Sequence, residues 1–195
     1  MKPKIIFATG NQNKVDEIQH VIGDFITVIS LKEAGISQEI PEPYDSLEEN
    51  ASVKSKTIFR LTGESCFSED TGLEVEALDG KPGVKSARYA GENAGHAENV
   101  KKLLENLKEK TNRRARFRTV ISLIWQGEEH QFEGICEGKI SEHPSGNKGF
   151  GYDPVFIPQG AEKSFAEMSM EEKNRFSHRK KAALQLVTFL QQMKK

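Results

Sequence analysis

Several things that would assign this chain quickly are scarce or missing. It has only two cysteines in 195 residues, Cys66 and Cys136, and their separation is not that of a metal site. Nothing ahead of them resembles a secretory signal, so a reduced, cytoplasmic protein is expected. His20, His96, His130 and His143 also lack ligand spacing, and zinc is not expected. No apolar run approaches the roughly 20 residues that span a bilayer, so a soluble protein with no membrane partner is expected. Charge of one sign is not in excess either: 28 basic residues stand against 29 acidic ones, a formal net charge of -1. A whole-surface attraction to nucleic acid or lipid is therefore not expected. There is no internal repeat and no low-complexity segment.

What is present is enough apolar residue, 36% of the chain, to bury a core. One globular domain spanning 1–195 without a separate linker is expected, with room for an added lobe. Residues 4–8 read as a buried strand, Lys14 to Ile22 as a helix, and Phe25 to Leu31 as a second strand. Residues 35–46 are rich in proline, glycine and acids and read as an exposed loop. Ser46 with Glu49 forms a capping box that opens a helix running to about Gly63. Ser65 to Glu69 and Leu73 to Leu78 read as two strands separated by an Asp70-Thr71-Gly72 turn. A helix over Ala94 to Glu109 precedes two long strands, Ala115 to Gln126 and Glu128 to Ser141, hinged at Gly127. Beyond a glycine-rich loop at Gly146 to Pro154 comes a short strand. Ser169 with Glu172 then caps a short helix, and Ser177 caps the last one, so His178 and Arg179 occupy its first turn.

The segment Thr9-Gly10-Asn11-Gln12-Asn13-Lys14 follows the first strand and opens the first helix. Such a turn aims backbone N–H groups, a hydroxyl and a lysine at a phosphate chain, although the spacing is not that of a Walker loop. Asp70, at the expected strand end, is a candidate functional carboxylate and equally an ordinary turn residue. Glu42 is either a solvated loop acid or a carboxylate sharing a metal ion with Asp70, and Lys54 is a helix-surface lysine or a phosphate contact. The loop holding Phe150, Gly151, Tyr152 and Asp153 is a structural turn or a base-stacking site. Cations in the first turn of a helix oppose its dipole, a conflict that a bound anion at His178 and Arg179 would relieve. The basic stretch Lys110 to Arg118 suggests RNA contact, but reads better as a charged loop entering a protected edge strand. Trp125 reads as core.

Taken in order, Thr-Gly-Asn-Gln-Asn-Lys from Thr9, Glu-Glu-Asn-Ala from Glu48 with Lys54, Asp-Thr-Gly-Leu from Asp70, Pro-Gly-Val-Lys-Ser-Ala-Arg-Tyr-Ala-Gly from Pro82, Gly-Phe-Gly-Tyr-Asp-Pro-Val-Phe from Gly149 and Glu-Lys-Asn-Arg-Phe-Ser-His-Arg from Glu172 closely resemble the inosine triphosphate pyrophosphatase family. Its bacterial members are called dITP/XTP pyrophosphatases, and the likeness runs from about Ile5 to Leu190. The resemblance implies a two-lobed α/β fold with a long mixed β-sheet, flanking helices and a central active-site cleft. It also implies a homodimer and a Mg2+-dependent hydrolysis of non-standard purine nucleoside triphosphates to monophosphate and pyrophosphate. By matched position, Thr9, Gly10, Asn11, Gln12, Asn13 and Lys14 contact phosphate, as does Lys54. Asp70 is the proton acceptor and, with Glu42, a metal ligand, while Thr71 helps bind substrate. Phe150, Gly151, Tyr152 and Asp153 hold the base, and Lys173, His178 and Arg179 complete its pocket. Glu17 is a further candidate metal-shell acid, and Glu69 is a supporting residue or an outward strand position.

These roles have chemical sense. A 6-oxo purine offers an acceptor where adenine offers an amino group, and buried donors can separate the two by on the order of 10⁴. An ordinary aspartate, with a pKa of about 3.9, is a weak base at neutral pH, so orienting water and metal counts for more than removing a proton. A non-catalytic purine nucleotide sensor is the alternative from another class, and an RNA-binding module a third.

Overall fold

The structure, a computed structural model, describes residues 4–23, 25–38 and 40–193. Its elements in chain order are β1 (Lys4–Phe7), α1 (Gln12–Ile22), β2 (Thr27–Ser30), α2 (Leu47–Thr62), β3 (Cys66–Val75), β4 (Pro82–Gly83), α3 (His96–Asn106), β5 (Arg114–Trp125), β6 (Glu128–Ile140), β7 (Phe156–Pro158), α4 (Met170–Lys173) and α5 (His178–Gln192). Among the described residues the strands form one mixed sheet in the order β2-β1-β3-β5-β6-β7, with β4 beside β3. β1 runs parallel to both β2 and β3, whereas β4 is antiparallel to β3 and β7 to β6. This is the mixed α/β class that the sequence implied.

The chain divides into two compact units. The first takes in the chain to Asp70, Thr119–Gly134 and the chain from Arg179; the second is Thr71–Arg118 with Ile135–His178. The first unit shows why β1 is apolar beyond Lys4: a parallel strand is covered on both faces and needs apolar side chains on each. Ile5 and Phe7 pack with Val15, Ile18 and Ile22 of α1 and Ala182, Ala183, Leu186 and Leu190 of α5. Ile6 and Ala8 belong to a different cluster, with Ile58 of α2, Cys66 and Ile124. In the second unit, Val100, Leu103 and Leu107 pack on Leu73, Val75, Phe117, Phe156 and Phe165.

Local signals set the helix ends. Asn11 is the N-cap of α1, accepting the Asn13 N–H at 3.0 Å, and Ser46 caps α2 by accepting the Glu49 N–H at 3.2 Å. α2 ends at Gly63, whose φ of 69° is the left-handed closure a glycine permits. Between β5 and β6, Gln126 and Gly127 both have positive φ, 52° and 88°, as a two-residue hairpin turn of the I′ kind demands.

One element departs from expectation. The anticipated turn at Asp70-Thr71-Gly72 does not form; β3 runs unbroken from Cys66 to Val75. Gly72 explains it, because a Cβ there would lie 2.7 Å from the carbonyl oxygen of Gly83. The glycine serves close approach by β4, which pairs Leu73 with Gly83, and not a change of chain direction.

Candidate functional site

Parallel pairing of β1 with β3 sets Phe7 opposite Phe67, so the chain leaving β1 through Thr9 runs beside Glu69 and Asp70. There the Asn11 N–H donates to Thr9 Oγ1 at 3.1 Å, while Gly10, Gln12 and Asn13 are exposed. The hydroxyl of Thr9 thus shapes the turn. Lys14 leaves its third helical position and reaches inward, placing Nζ 3.0 Å from Glu69 Oε1.

Glu69 is the centre of a buried charge network. Arg179 donates Nε to Glu69 Oε2 at 2.8 Å and Nη2 to Oε1 at 2.9 Å, and its Nη1 donates to Glu17 Oε2. Burial pushes the Glu69 carboxyl up, but the adjacent Arg179 and Lys14 charges outweigh it and hold the group well below the usual carboxylate range. Burial likewise disfavours the charged guanidinium, and Glu69 and Glu17 reverse that, raising its pKa. Two carboxylates and two cations balance, which is what permits charges here at all.

A second cluster lies around Lys54, which is 7% exposed on α2. Its Nζ donates to Glu42 Oε1 and stands 3.5 Å from Asp70 Oδ1. Two residues beyond Glu42 the loop is pinned by Asn50, whose Oδ1 accepts the Tyr44 N–H and whose Nδ2 donates to the Tyr44 carbonyl, both at 3.0 Å. Two hard carboxylate oxygens converge on one cationic point. That donor set suits magnesium, which takes one or two carboxylates and completes its shell with phosphate oxygens and water. Among the described residues no group of three or more His, Cys, Asp or Glu side chains could hold a metal by itself, and these two acids would supply only part of a shell.

In the second unit the glycine-rich loop is tied down from inside. Asp153 Oδ2 accepts the Phe150 N–H at 2.9 Å and Lys173 Nζ at 2.7 Å. Gly149 has φ +73°, and a Cβ there would fall 2.0 Å from the same Oδ2, so the loop depends on that glycine. Tyr152 is in the core and donates its hydroxyl to the Ser86 carbonyl at 2.9 Å, while Phe150 remains half-buried. Lys173 Nζ stands 5.3 Å from the ring centroids of both Phe150 and Phe165. The His178 ring stacks on Phe117, centroids 4.7 Å apart and 13° from parallel.

The predicted residues thus gather by unit. Thr9 to Lys14, Glu42, Lys54, Asp70 and Arg179 belong to the first; Thr71, Phe150 to Asp153, Lys173 and His178 belong to the second. Three residues and one pairing escape a residue-by-residue reading: it leaves Glu69 between two roles and gives none to Asn50, to Phe117 or to the pairing of Glu17 with Arg179. An acid directly beside Asp70 in an apolar strand was the available signal for Glu69. Nothing local pointed to the others.

An α/β sheet with a strand-to-helix turn beside paired acids, one buried lysine and one partly exposed lysine is the arrangement of a nucleotide-handling protein. Residues 5–189 match the Ham1 family. The dITP/XTP pyrophosphatase of Porphyromonas gingivalis is 50% identical over 188 residues, 96% of this chain and 97% of its own length, and that of Christiangramia forsetii is 47% identical over 187 residues, covering 96% and 98%. The Ham1 protein of Staphylococcus aureus superposes with a TM-score of 0.88 at 38% identity, covering 97% of this chain and 99% of its own. A HAM1 protein of Coxiella burnetii superposes with a TM-score of 0.89 at 36% identity, covering 97% and 99%. The chain belongs to the Ham1 family, and the name its relatives carry is the one the sequence motifs suggested.

Proposed function

We propose that the protein hydrolyses non-standard purine nucleoside triphosphates, ITP, dITP and XTP, to the monophosphate and pyrophosphate, removing them from the nucleotide pool. The observation that carries this is the convergence of Asp70 and Glu42 on Lys54 within the unit that holds the Thr9–Lys14 turn. The names of the two relatives above support the choice of substrate. In this reading the turn's N–H groups and Lys14 bind phosphate, and Lys54 neutralises charge on the leaving pyrophosphate. Asp70 orients the attacking water and accepts its proton as the bond to α-phosphorus forms. Glu42 and Asp70 would hold Mg2+, which when bound neutralises and polarises phosphate oxygens. Phe150 stacks on the base without distinguishing purines, whereas Tyr152, Asp153 and Lys173 fix the loop that presents it. His178, held flat against Phe117, supplies a donor to the 6-oxygen, and Arg179 serves base recognition with whatever guanidinium N–H capacity Glu69 and Glu17 leave. A homodimer acting in the cytoplasm belongs to the same proposal, and sedimentation of the pure protein tests the dimer.

The deciding assay incubates pure protein with dITP, XTP, ATP and GTP, with and without magnesium, and identifies products. Monophosphate and pyrophosphate from dITP and XTP, lost in Asp70→Asn, are the expected result. Orthophosphate as first product sinks the reading, and binding without turnover points to a nucleotide sensor instead.

A further inference from the structure

Glu69 has more to do than occupy a strand. Its side chain is fully buried and its two oxygens serve partners from different helices, Lys14 in the first turn of α1 and Arg179 in the first turn of α5. A cation in the first turn opposes the helix dipole, and a carboxylate directly against it offsets the conflict. The bidentate fork to Arg179 fixes the plane of the guanidinium, which a single contact would leave free to swing. Glu17 holds the guanidinium at Nη1. Lys14 is the more accessible partner, its side chain 19% exposed against 2% for Arg179, so a ligand reaches the network through the lysine.

We infer that Glu69 is a positioning residue, one carboxylate that sets both the Lys14 ammonium and the Arg179 guanidinium, an inference resting on the reading of those two as substrate contacts. Fully buried, Glu69 would itself touch neither phosphate nor base. It acts through what it holds, and it stands next to Asp70 in the same strand, so three substrate-facing groups share one rigid anchor. When phosphate draws on Lys14, the fork to Arg179 keeps Glu69 in place, and the lysine moves against a fixed partner. Aspartate has the charge but lacks the methylene that lets one carboxylate span both partners.

The test compares Glu69→Asp and Glu69→Gln with the unaltered protein. Glu69→Asp keeps the negative charge Arg179 needs, and so folds where Glu69→Gln fails to. The first readout is acylation of Lys14 by an amine-reactive ester, scored by mass spectrometry against Lys101, whose side chain is 77% exposed. Release from Glu69 raises the Lys14 to Lys101 ratio several-fold. The second is kcat/KM for dITP, expected to fall by about tenfold or more, in line with loss of a charged hydrogen bond. Combining Glu69→Asp with Lys14→Ala should cost less than the sum of the two changes, because the second removes what the first has loosened. An unchanged acylation ratio in a folded variant, or costs that simply add, overturns the inference. The acylation ratio needs no turnover, so an unaltered protein inactive on dITP defeats the proposed substrate while leaving the role of Glu69 to be decided by the label.

Discussion

Asp153 and Lys173 are both almost fully buried, 4% and 6% of each side chain exposed, and each would be costly alone. Asp153→Asn is expected to destabilise the protein by about 3–5 kcal/mol, and removing Lys173 as well should recover part of that loss. Chemical denaturation of the single and double variants measures both. Lys14 is a different case, since its proposed partner is a phosphate common to every substrate. Lys14→Ala should raise KM for dITP, XTP and ITP by the same factor and leave the order of preference unchanged, which steady-state kinetics on all three will read. Cys66 is also defined by its surroundings. Burial pushes its thiol up to about 12, so a thiol reagent should modify it only as the protein unfolds, and the rate of labelling should track denaturant.

Elements show which signals carry and which do not. The caps at Ser46 and at Ser169, whose Oγ accepts the Glu172 N–H at 3.1 Å, were legible because capping is settled within four residues. Ser46→Ala is therefore expected to cost about 1 kcal/mol, read as a fall in the thermal midpoint. The apolar stripe of α5 was legible for the same local reason. The turn expected at Asp70 was not, because its glycine answers to Gly83 on another strand, and a local signal cannot tell a turn from a close approach. Glu69 and Arg179 are 110 residues apart in sequence, and two charges at that separation give no sign of pairing until the sheet and α5 bring them together. Glu129 on β6 and Lys56 on α2 make another pairing of this kind. Burial pushes the Glu129 carboxyl up, but hydrogen bonds from Lys56, Ser122, Ser52 and Gln131 outweigh it and bring it from 4.5 down to about 2. A depressed carboxylate stabilises the fold above its unfolded value, so this contribution should persist above pH 4.5 and fade as pH falls towards 2. Thermal melts of Glu129→Gln should lose less stability over that interval than the unaltered protein.

At the scale of the whole molecule, the formal charge of -1 leaves little general pull on polyanions. Part of the basic run Lys110 to Arg118 is also engaged: Arg116 Nε donates to Glu74 at 2.6 Å, and Arg113 donates to the carbonyls of Leu107, Ile140 and Ser141. Filter binding with single-stranded RNA at low salt should accordingly show no strong, salt-dependent retention, against the RNA-binding alternative. The chain passes between the two compact units at Asp70-Thr71, Arg118-Thr119, Gly134-Ile135 and His178-Arg179, so residues adjacent in sequence serve different cores. No period or composition change marks those crossings, which is why the two lobes came from resemblance and not from the pattern of residues.

Asn50 gives the loop before α2 the donor and acceptor that a neighbouring strand would otherwise provide, and does so with one amide. Deamidation would change that amide by a single atom, keeping the acceptor and abolishing the donor. The loop that carries Glu42, half of the carboxylate pair at Lys54, is thus held two residues further on by an amide with no part in the proposed chemistry, and slow chemical ageing there would set a buried negative charge against the Tyr44 carbonyl and loosen the loop.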